Sequence, residues 1–394
     1  MRIETIRLKN FKVFEDVEIT NIPAYMVLLG PNGSGKSTLF NVFTFLQEAL
    51  NSNVRVAVQK IGTKYTELVT RGHEKEDIEI EIQFRLDISG AERLVTYLLC
   101  LGLEENKPVI RREILRYKRG RNGSPYHFLD FSSGIGKAVT NEDDFTKTDE
   151  KLNKEDQSLG SPDILAVKAL GQLQRFKAAS ALRQMLENWH ISDFHINLAR
   201  GSKEPGYAEH LSTSGDNLQL VAQYIKENHP DVFASVLEKM TARVPGVNNV
   251  EAADTGDGRI MLKFNDSAFK DPFIDLHVSD GTIKMFAYLL LLHDPTPHKL
   301  LCVEEPENQL YPHLLGELAE EFEDYANRGG QVFVSTHSPD FLNEVPLESI
   351  FWLEKRNGVT RVCRASEDEN IRSLVEAGDK PGWLWKQGLL GGAF

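Results

Sequence analysis

The sequence predicts an α/β protein whose parallel sheet is built from both ends of the chain. Residues 25–29 form a continuous apolar run, which is typical of a buried strand, and a helical pattern follows it from Ser37. Strand and helix patterns then alternate towards the C-terminus, with helices at 282–293, 312–327 and 339–344 and strands at 299–303, 330–335 and 349–354. Such alternation is typical of a doubly wound sheet.

A mixed or antiparallel β-subdomain accompanies the first buried strand. Residues 3–8 and 15–20 read as two strands joined by a turn, and residues 77–86 alternate strictly between apolar and polar side chains. Further strands are predicted at about 94–102, 109–118 and 125–131. We therefore expect residues 1–130 to form one lobe.

The middle of the chain, residues 131–265, is predicted to be a mostly helical insertion. Its polar and acidic start, residues 132–160, has few large apolar side chains and favours a surface linker. Helices are expected at 163–187 and 215–243, followed by a hairpin at 249–264. Residues 266–394 then form the second lobe and a C-terminal tail.

Composition and charge exclude several classes of protein. The 394 residues carry a net charge of -13, which argues against coating nucleic acid by bulk electrostatics. No apolar run approaches the ~18 residues of a membrane span, and the N-terminus lacks the apolar core of a secretion signal. The three cysteines lie far apart, so we expect buried thiols in a reducing cytoplasm.

One segment, residues 111–121, is basic although the chain as a whole is acidic. It contains Arg111, Arg112, Arg116, Arg119 and Arg121. Two interpretations stay open: a local stripe that contacts DNA, or a solvated β-hairpin with basic flanks.

The phosphate loop, Gly30 to Thr38, follows the apolar strand and opens a helix. Its Gly-x-x-x-x-Gly-Lys-Ser pattern lets consecutive backbone N–H groups point at one anion, at the positive end of the helix dipole. We expect Lys36 to reach the β- and γ-phosphates of ATP and Ser37 to hold Mg²⁺. The residues expected to contact the nucleotide are Asn32, Gly33, Ser34, Gly35, Lys36, Ser37 and Thr38.

Two carboxylates end the apolar strand predicted at 299–303. Ligands bind at the carboxyl ends of strands in open α/β sheets, and adjacent residues of a strand point differently. Glu304 is therefore predicted to hold Mg²⁺ and Glu305 to act as the general base on water. The next apolar strand ends at His337, which we expect to hydrogen-bond the γ-phosphate or the water.

Read together, the motifs resemble those of ABC-type ATPases of the RecF/SMC group. They are Asn10-Phe11-Lys12, the phosphate loop, Val278-Ser279-Asp280-Gly281-Thr282, Glu304-Glu305-Pro306-Glu307 and Ser335-Thr336-His337-Ser338-Pro339, in that order. More narrowly, the chain resembles stand-alone ATPases akin to the overcoming-lysogenisation-defect (OLD) family, but without room for their Toprim nuclease. The resemblance covers residues 1–50 and 275–345.

The resemblance assigns roles by position. Residues 278–282 correspond to the signature motif, in which Ser279 and Gly281 bind the γ-phosphate held by another subunit, implying a head-to-tail homodimer or a higher oligomer. From the residues alone, Ser279 or Asp280 is equally well read as an ordinary helix N-cap. Residues 307–312 correspond to the D-loop, His337 to the switch histidine, and Lys12 lies near the nucleotide. The glutamine of the family's Q-loop has no clear match; Gln157 and Gln83 are weak candidates.

ABC-type dimers act as switches, so the resemblance implies an ATPase that controls another molecule. Our first hypothesis is an antiphage defence ATPase acting with a separate effector, most simply a nuclease. The alternative is a RecF-like repair ATPase that binds DNA. A transporter subunit and a self-sufficient nuclease fit the motifs less well. The apolar tail, residues 383–390, either docks a partner or packs back onto its own domain.

Overall fold

The computed structural model describes residues 1–120, 124–144 and 146–391. The chain divides into two compact units, each assembled from separated segments. The first unit comprises residues 1–23, 29–189 and 351–364, and the second comprises 24–28, 190–350 and the chain from 365 onwards.

Seventeen strands lie in the described residues, and those predicted from the sequence have bounds close to the predicted ones. They are β1 (Arg2–Phe11), β2 (Phe14–Ile19), β3 (Tyr25–Leu29), β4 (Ile78–Ile88), β5 (Ala91–Glu104), β6 (Lys107–Tyr117), β7 (Tyr126–Ser132), β8 (Ile135–Val139), β9 (Lys154–Ser158), β10 (Trp189–Ser192), β11 (Val247–Asp254), β12 (Ile260–Asp266), β13 (Phe273–Ile274), β14 (Leu300–Glu304), β15 (Val332–Thr336), β16 (Ile350–Arg356) and β17 (Val359–Arg364).

The helices connect these strands. They are α1 (Lys36–Asn51), α2 (Val54–Ile61), α3 (Ala166–Leu170), α4 (Lys177–Glu187), α5 (Ile196–Ala199), α6 (Leu218–Asn228), α7 (Pro230–Arg243), α8 (Asp280–Leu292), α9 (His313–Asn327), α10 (Pro339–Leu342), α11 (Glu369–Glu376) and α12 (Pro381–Lys386). Among the described residues, none of these helices combines the length and apolar character that crossing a membrane requires.

The first unit is organised by an eight-stranded sheet in the order β2-β1-β4-β5-β6-β7-β8-β9. Its neighbouring strands are antiparallel, which confirms the antiparallel character predicted from residues 77–131. Strict alternation in β4 buries every second side chain, as expected for a strand with one face on a core. Helix α1 packs in this unit, where Phe43 meets the ring of Trp189 edge-on at 5.3 Å.

The acidic segment 132–160 is not the surface linker that its composition favoured. Residues 135–139 and 154–158 form β8 and β9, which pair with each other and extend the sheet. Within the segment, Glu142 is buried and accepts hydrogen bonds from the Tyr117 hydroxyl at 3.1 Å and from the Ala178 N–H at 3.0 Å. The ladder hydrogen bonds and this buried carboxyl order a stretch whose polarity alone predicts a loop.

Two long helices predicted in the middle of the chain are each broken in two. The first divides at Gly171, where a Cβ atom would lie 2.4 Å from the Val167 carbonyl oxygen, into α3 and α4. The second divides at Pro230, which has no N–H to continue α6 and instead opens α7. The hairpin predicted at 249–264 is confirmed by β11 and β12.

The second unit contains neighbouring strands in the order β10-β14-β15-β3. Strands β14 and β15 are parallel, with Leu301 opposite Val332 and Glu304 opposite Ser335. Because parallel strands end at the same edge, this register places Glu304 and the residues after Thr336 side by side. The placement of β3 beside β15 confirms that both ends of the chain contribute to the sheet.

The C-terminal tail packs back onto the second unit. Leu384, Trp385 and Leu390 are buried, and the Gly382 N–H donates to the Asn343 side chain at 3.0 Å, next to α10. Trp383 is half exposed. Of the two interpretations of the tail, the structure therefore favours intramolecular packing.

Candidate active site

The phosphate loop forms a tight turn in the first unit, between β3 and α1. Gly35, at the N-cap of α1, has φ +112°, a left-handed conformation that L side chains rarely adopt. A Cβ atom on Gly30 would lie 2.6 Å from the Ser34 hydroxyl oxygen and 2.9 Å from the Leu353 carbonyl oxygen. The loop is thus compact enough that glycine is required at both ends.

The side chains of the loop divide into buried and exposed groups. Lys36 is buried, and its ammonium group donates to the carbonyl oxygens of Gly30 at 2.6 Å and Pro31 at 3.3 Å. The Ser34 hydroxyl is buried and has no hydrogen-bond partner among the described residues. Asn32, Gly33 and Ser37 are exposed and Thr38 is half-buried. Exposed loop residues, a buried cation and an unsatisfied hydroxyl together favour an anionic ligand.

The loop is anchored by β17, far away in the sequence. The Thr360 hydroxyl, which is fully buried, donates to the Ser34 carbonyl oxygen at 2.7 Å. The Thr360 N–H donates to the Val13 carbonyl oxygen at 2.9 Å. Sequence reasoning missed Thr360, because a threonine in a strand carries no signal of such a contact.

Lys12 lies at the mouth of a cavity of about 800 Å³ in the same unit. It has φ +53°, donates from its ammonium group to the Ile61 carbonyl oxygen at 2.9 Å, and has its pKa lowered by burial. Thr38 of the phosphate loop also lines this cavity, together with Gly62, Thr70 and Asn357 among others. The structure therefore brings Lys12 and the phosphate loop to one cavity, whose size suits a nucleotide.

Asn10, which belongs to the same motif as Lys12, has a structural role. It is buried, its side-chain N–H groups donate to the carbonyl oxygens of His73, Glu76 and Asp77, and its Oδ1 accepts from the Thr70 N–H. These bonds fix the loop between α2 and β4 that helps to line the cavity.

Glu304 and Glu305 end β14 in the second unit. Glu305 has φ +44°, a strained conformation for a non-glycine residue, and its N–H donates to the Ser335 carbonyl oxygen at 2.8 Å. Its carboxylate accepts from the Asn308 side chain at 3.1 Å. Strain of this kind is concentrated at functional positions, although the pattern of residues did not predict it.

His337 lies beside two carboxylates of the same unit. Its Nδ1 is 3.5 Å from Glu305 Oε1 and 3.7 Å from Glu307 Oε1. Glu307, with a side chain only 9% exposed, accepts from the Thr336 hydroxyl at 2.7 Å and from the His337 N–H at 2.9 Å. The structure thus brings the predicted base and the predicted switch histidine together. Glu307 holds the backbone of His337 in place.

The signature residues form the start of α8. Ser279 is the N-cap, and its hydroxyl accepts from the Thr282 N–H at 3.2 Å. Ser279 is therefore an ordinary helix N-cap, as one of the two interpretations predicted. Its role in binding phosphate stays a prediction. A Cβ atom on Gly281 would lie 3.0 Å from the Gln309 carbonyl oxygen, so glycine lets the D-loop approach the helix closely.

Two cations hold the signature and D-loop segments, and sequence reasoning missed both. Arg200 donates to the Val278 carbonyl oxygen at 2.7 Å and forms an ion pair with Asp280 at 2.6 Å. Lys284, on α8, donates to the Asn308 carbonyl oxygen at 2.6 Å. Burial lowers the pKa of Lys284 to about 8, against the opposing effect of Glu307 and Glu305.

The arginines of the basic segment are paired with acidic residues. Arg111 contacts Glu104, Arg112 lies 3.1 Å from Asp130, and Arg116 lies 3.3 Å from Glu81. Arg119 is buried and donates to Asp149 at 2.7 Å. These contacts favour the hairpin interpretation; Arg121 lies outside the described residues.

The two weak candidates for the Q-loop lie in regular strands. Gln157 belongs to β9 and donates to Glu155 at 3.1 Å, and Gln83 is half-buried in β4 opposite Thr96. Both glutamines lie within strands and not in a loop, so neither is assigned as the Q-loop glutamine.

Comparison with solved structures shows the fold. A crystal structure of an SMC head bound to the C-terminal winged-helix domain of ScpA matches with a TM-score of 0.55, 14% identity, and coverage of 92% of this chain and 98% of that chain. An SMC head with an extended coiled coil, bound to the C-terminal domain of ScpA from Pyrococcus furiosus, matches with a TM-score of 0.52, 14% identity, and coverage of 96% and 99%. The predicted α/β fold of the ABC type is confirmed.

Curated relatives point to the same group. Proteins described as DNA replication and repair protein RecF match from Lactobacillus johnsonii, with 25% identity over 33% of this chain and 40% of the relative, and from Lactobacillus gasseri, with 24% identity over 37% and 44%. The matched region thus spans less than half the length of these relatives.

A family model described as "AAA domain, putative AbiEii toxin, Type IV TA system" matches residues 26–343, which include the phosphate loop, the signature, both strand-end carboxylates and the switch histidine. The chain belongs to this family of AAA domains, with an ATPase fold of the RecF/SMC type.

Proposed function

We propose that this protein binds and hydrolyses ATP and that ATP closes a head-to-tail dimer that controls a separate effector. The observation that carries the proposal is the phosphate loop: a glycine-bounded turn at the N-terminus of a 16-residue helix, with Lys36 and the unsatisfied Ser34 hydroxyl buried in it. Such a turn offers N–H groups and the helix dipole to the phosphates of a nucleotide.

The residues proposed for Mg²⁺ suit this ion. Ser37, in the first unit, has an exposed hydroxyl, and Glu304, in the second unit, has a half-buried carboxylate; each is an oxygen group of the kind that Mg²⁺ prefers together with phosphate oxygens. When bound, Mg²⁺ offsets charge on the β- and γ-phosphates during phosphoryl transfer. Lys36 would hold the same phosphates as a fixed cation.

Hydrolysis is proposed to rest on Glu305. Its carboxylate would accept a proton from the attacking water, while His337 would donate a hydrogen bond to the γ-phosphate or to that water. Glu307 would act as a positioning residue, because it holds the backbone of His337 through a hydrogen bond at 2.9 Å. The strained backbone of Glu305 and its contact with Asn308 limit the orientations available to the base.

Dimerisation is proposed from the signature. Ser279 and Gly281 open α8, a 13-residue helix whose N-terminus would bind the γ-phosphate held by a second subunit. Closure would then depend on ATP, because the phosphate supplies the free energy that favours the closed state. Higher oligomers of such dimers are compatible with the same contacts.

The effector is proposed to be a separate protein, most simply a nuclease in antiphage defence. Support comes from the resemblance of the motifs to stand-alone ATPases akin to the OLD family. In the described residues, no group of three or more carboxylates has the spacing of a two-metal nuclease site. We propose that the nuclease chemistry is supplied in trans.

A RecF-like ATPase that binds DNA is the second candidate, favoured by the curated relatives. DNA binding requires free cations to neutralise phosphates. In this chain the arginines at 111, 112 and 116 are engaged by carboxylates, so their charge is already offset. For this reason we rank the repair function below the switch function.

The ATP-binding step is tested with Lys36→Ala. Loss of the ammonium group should abolish binding of a fluorescent ATP analogue, whereas Lys60→Ala, an exposed lysine on α2, should bind as the wild type does. Tight binding retained by Lys36→Ala would refute the assignment of the loop.

The hydrolysis and dimer steps are tested with Glu305→Gln. The variant should bind ATP, fail to release phosphate and accumulate as a dimer in ATP, as measured by light scattering after size-exclusion chromatography. Glu320→Gln, an exposed position on α9, is the matched control. Wild-type hydrolysis by Glu305→Gln would place the base elsewhere.

The two candidate functions are separated with the trapped Glu305→Gln dimer. Copurification of one dedicated nuclease or toxin-like protein supports the switch function. ATP-dependent binding of a DNA duplex without any partner, lost in high salt, supports the repair function instead.

A further inference from the structure

A cluster of histidines with one aspartate lies in the second unit, away from the residues used above. His190 belongs to β10, His210 to the segment between α5 and α6, Asp294 to the end of α8, and His298 to the segment just before β14. Because Glu304 ends β14 and His298 precedes it, the cluster and the predicted base lie at opposite ends of one strand.

Three members of the cluster converge on one point. One ring nitrogen each of His210 and His298 and a carboxylate oxygen of Asp294 all lie within 4.8 Å of one another. His210 Nδ1 is 2.6 Å from Asp294 Oδ2, and the rings of His210 and His298 have centroids 5.0 Å apart. Ligands around a tetrahedral Zn²⁺ are about 3.4 Å apart, so small side-chain adjustments bring these atoms to bonding distance.

Asp294 is oriented for such a role. Its side chain is 3% exposed, and its Oδ1 accepts hydrogen bonds from the Thr296 N–H at 2.9 Å and the Thr296 hydroxyl at 3.4 Å. Oδ2 is thereby directed at His210. Second-shell bonds of this kind fix the carboxylates that bind metals.

His190 supplies an independent observation that points to a ligand. Its side chain is buried, its Nε2 has no hydrogen-bond partner among the described residues, and its ring stacks on that of His298 with centroids 4.9 Å apart. A buried ring nitrogen left without a partner beside the cluster is explained by an ion or a water molecule bound there.

We propose that His210, Asp294 and His298 bind one Zn²⁺ ion. Two imidazoles and a carboxylate suit Zn²⁺ better than Mg²⁺ or Ca²⁺, which prefer oxygen ligands. An entry path exists, because the His210 side chain is 36% exposed and a cavity of about 460 Å³ borders Asp294.

The ion would clamp three segments that are distant in sequence. His210 precedes α6, Asp294 follows α8, and His298 leads into β14. The Tyr325 hydroxyl on α9 further holds the His298 carbonyl oxygen. A metal at this point would therefore stabilise the end of the signature helix and the start of the strand that carries Glu304 and Glu305, without contacting the nucleotide.

The test is metal binding by the full-length protein after dialysis against EDTA. Zn²⁺ is titrated in competition with a chromophoric chelator, and Co²⁺ is added separately to give a visible ligand-field spectrum. The expected result is one ion per chain and a tetrahedral Co²⁺ spectrum. His210→Gln should weaken Zn²⁺ binding about 100-fold. His195→Gln, an exposed histidine of the same unit with a side chain 57% exposed, should not.

Asp294→Asn provides a second variant if His210→Gln does not fold, because it keeps the volume and the oxygen that faces Thr296. Circular dichroism reports folding for each variant. The proposal is overturned if the folded wild-type protein binds no Zn²⁺ and gives no Co²⁺ spectrum. It is equally overturned if both His210→Gln and Asp294→Asn bind Zn²⁺ as tightly as His195→Gln does.

Discussion

Removal of the Thr360 hydroxyl tests how the phosphate loop is held. Thr360→Val exchanges the hydroxyl for a methyl group of similar shape, so packing is kept while the bond to the Ser34 carbonyl oxygen, 2.7 Å long, is lost. Ser34 and Thr360 are both buried, so water does not replace the bond. An acceptor left unsatisfied in this way costs about 1–3 kcal/mol.

We expect this cost to be divided between stability and ATP binding, because a loop that relaxes when it is empty avoids part of the cost until ATP restores its conformation. The free energy of unfolding, measured in urea, should fall by at most about 3 kcal/mol. If the empty loop relaxes and only the ATP-bound loop bears the cost, the Kd for ATP rises by about 5- to 150-fold, because each 1.4 kcal/mol changes the Kd about tenfold. A fluorescent ATP analogue measures that Kd at equilibrium.

Thr360→Ser is the matched control, because it keeps the hydroxyl and deletes the methyl group. It should lose about 1 kcal/mol of stability through the cavity but bind ATP as the wild type does. If Thr360→Val keeps both the wild-type stability and the wild-type Kd for ATP, the loop does not depend on β17 and the reasoning is refuted.

The remaining predictions concern the second unit and the sheet. Glu307→Ala should lower the rate of ATP hydrolysis at least tenfold with little change in the Kd for ATP, since His337 loses its backbone acceptor; single-turnover assays show this. Arg200→Lys should leave ATP binding intact but weaken the ATP-induced dimer about fivefold to tenfold in sedimentation, because lysine lacks the fork whose two nitrogens reach the Asp275 and Val278 carbonyl oxygens. Burial raises the pKa of Glu113 and of Glu142 to about 7, so the folded state holds protons that the unfolded state releases above pH 4.5. Stability should therefore fall as the pH rises from 4.5 to 7, by at most about 1.4 kcal/mol per pH unit and group, and less steeply in the double Gln variant during urea unfolding.

Local patterns predicted much of the fold because their physical causes are local. The alternation in 77–86 and the apolar run at 25–29 each reflect which faces of a strand are buried, and both strands are present. The breaks at Gly171 and Pro230 are local too, but the apolar periodicity on either side concealed them. The strands β8 and β9 depend on pairing with distant partners, which composition does not reveal.

The site was predictable only where the motif is contiguous. The phosphate loop and the strand-end carboxylates are short runs whose chemistry can be read from the residues. Thr360 reaches the loop from a strand 326 positions away, and Arg200 reaches the signature from 78 positions away, so neither contact leaves a local pattern in the sequence. The proposed zinc ligands likewise come from separate parts of the sequence. Asp294 and His298 are four positions apart, but His210 lies more than 80 positions before them.

Contacts within the second unit connect the signature helix to the predicted base. Lys284 on α8 donates to the Asn308 carbonyl oxygen, and the Asn308 side chain donates to the Glu305 carboxylate. Glu307, one residue before Asn308, holds the backbone of His337. A displacement of α8 would therefore reach both the predicted base and the predicted switch histidine through one short segment. Since the signature is proposed to bind the γ-phosphate of a second subunit, these contacts give a physical reason why hydrolysis would await closure of the dimer.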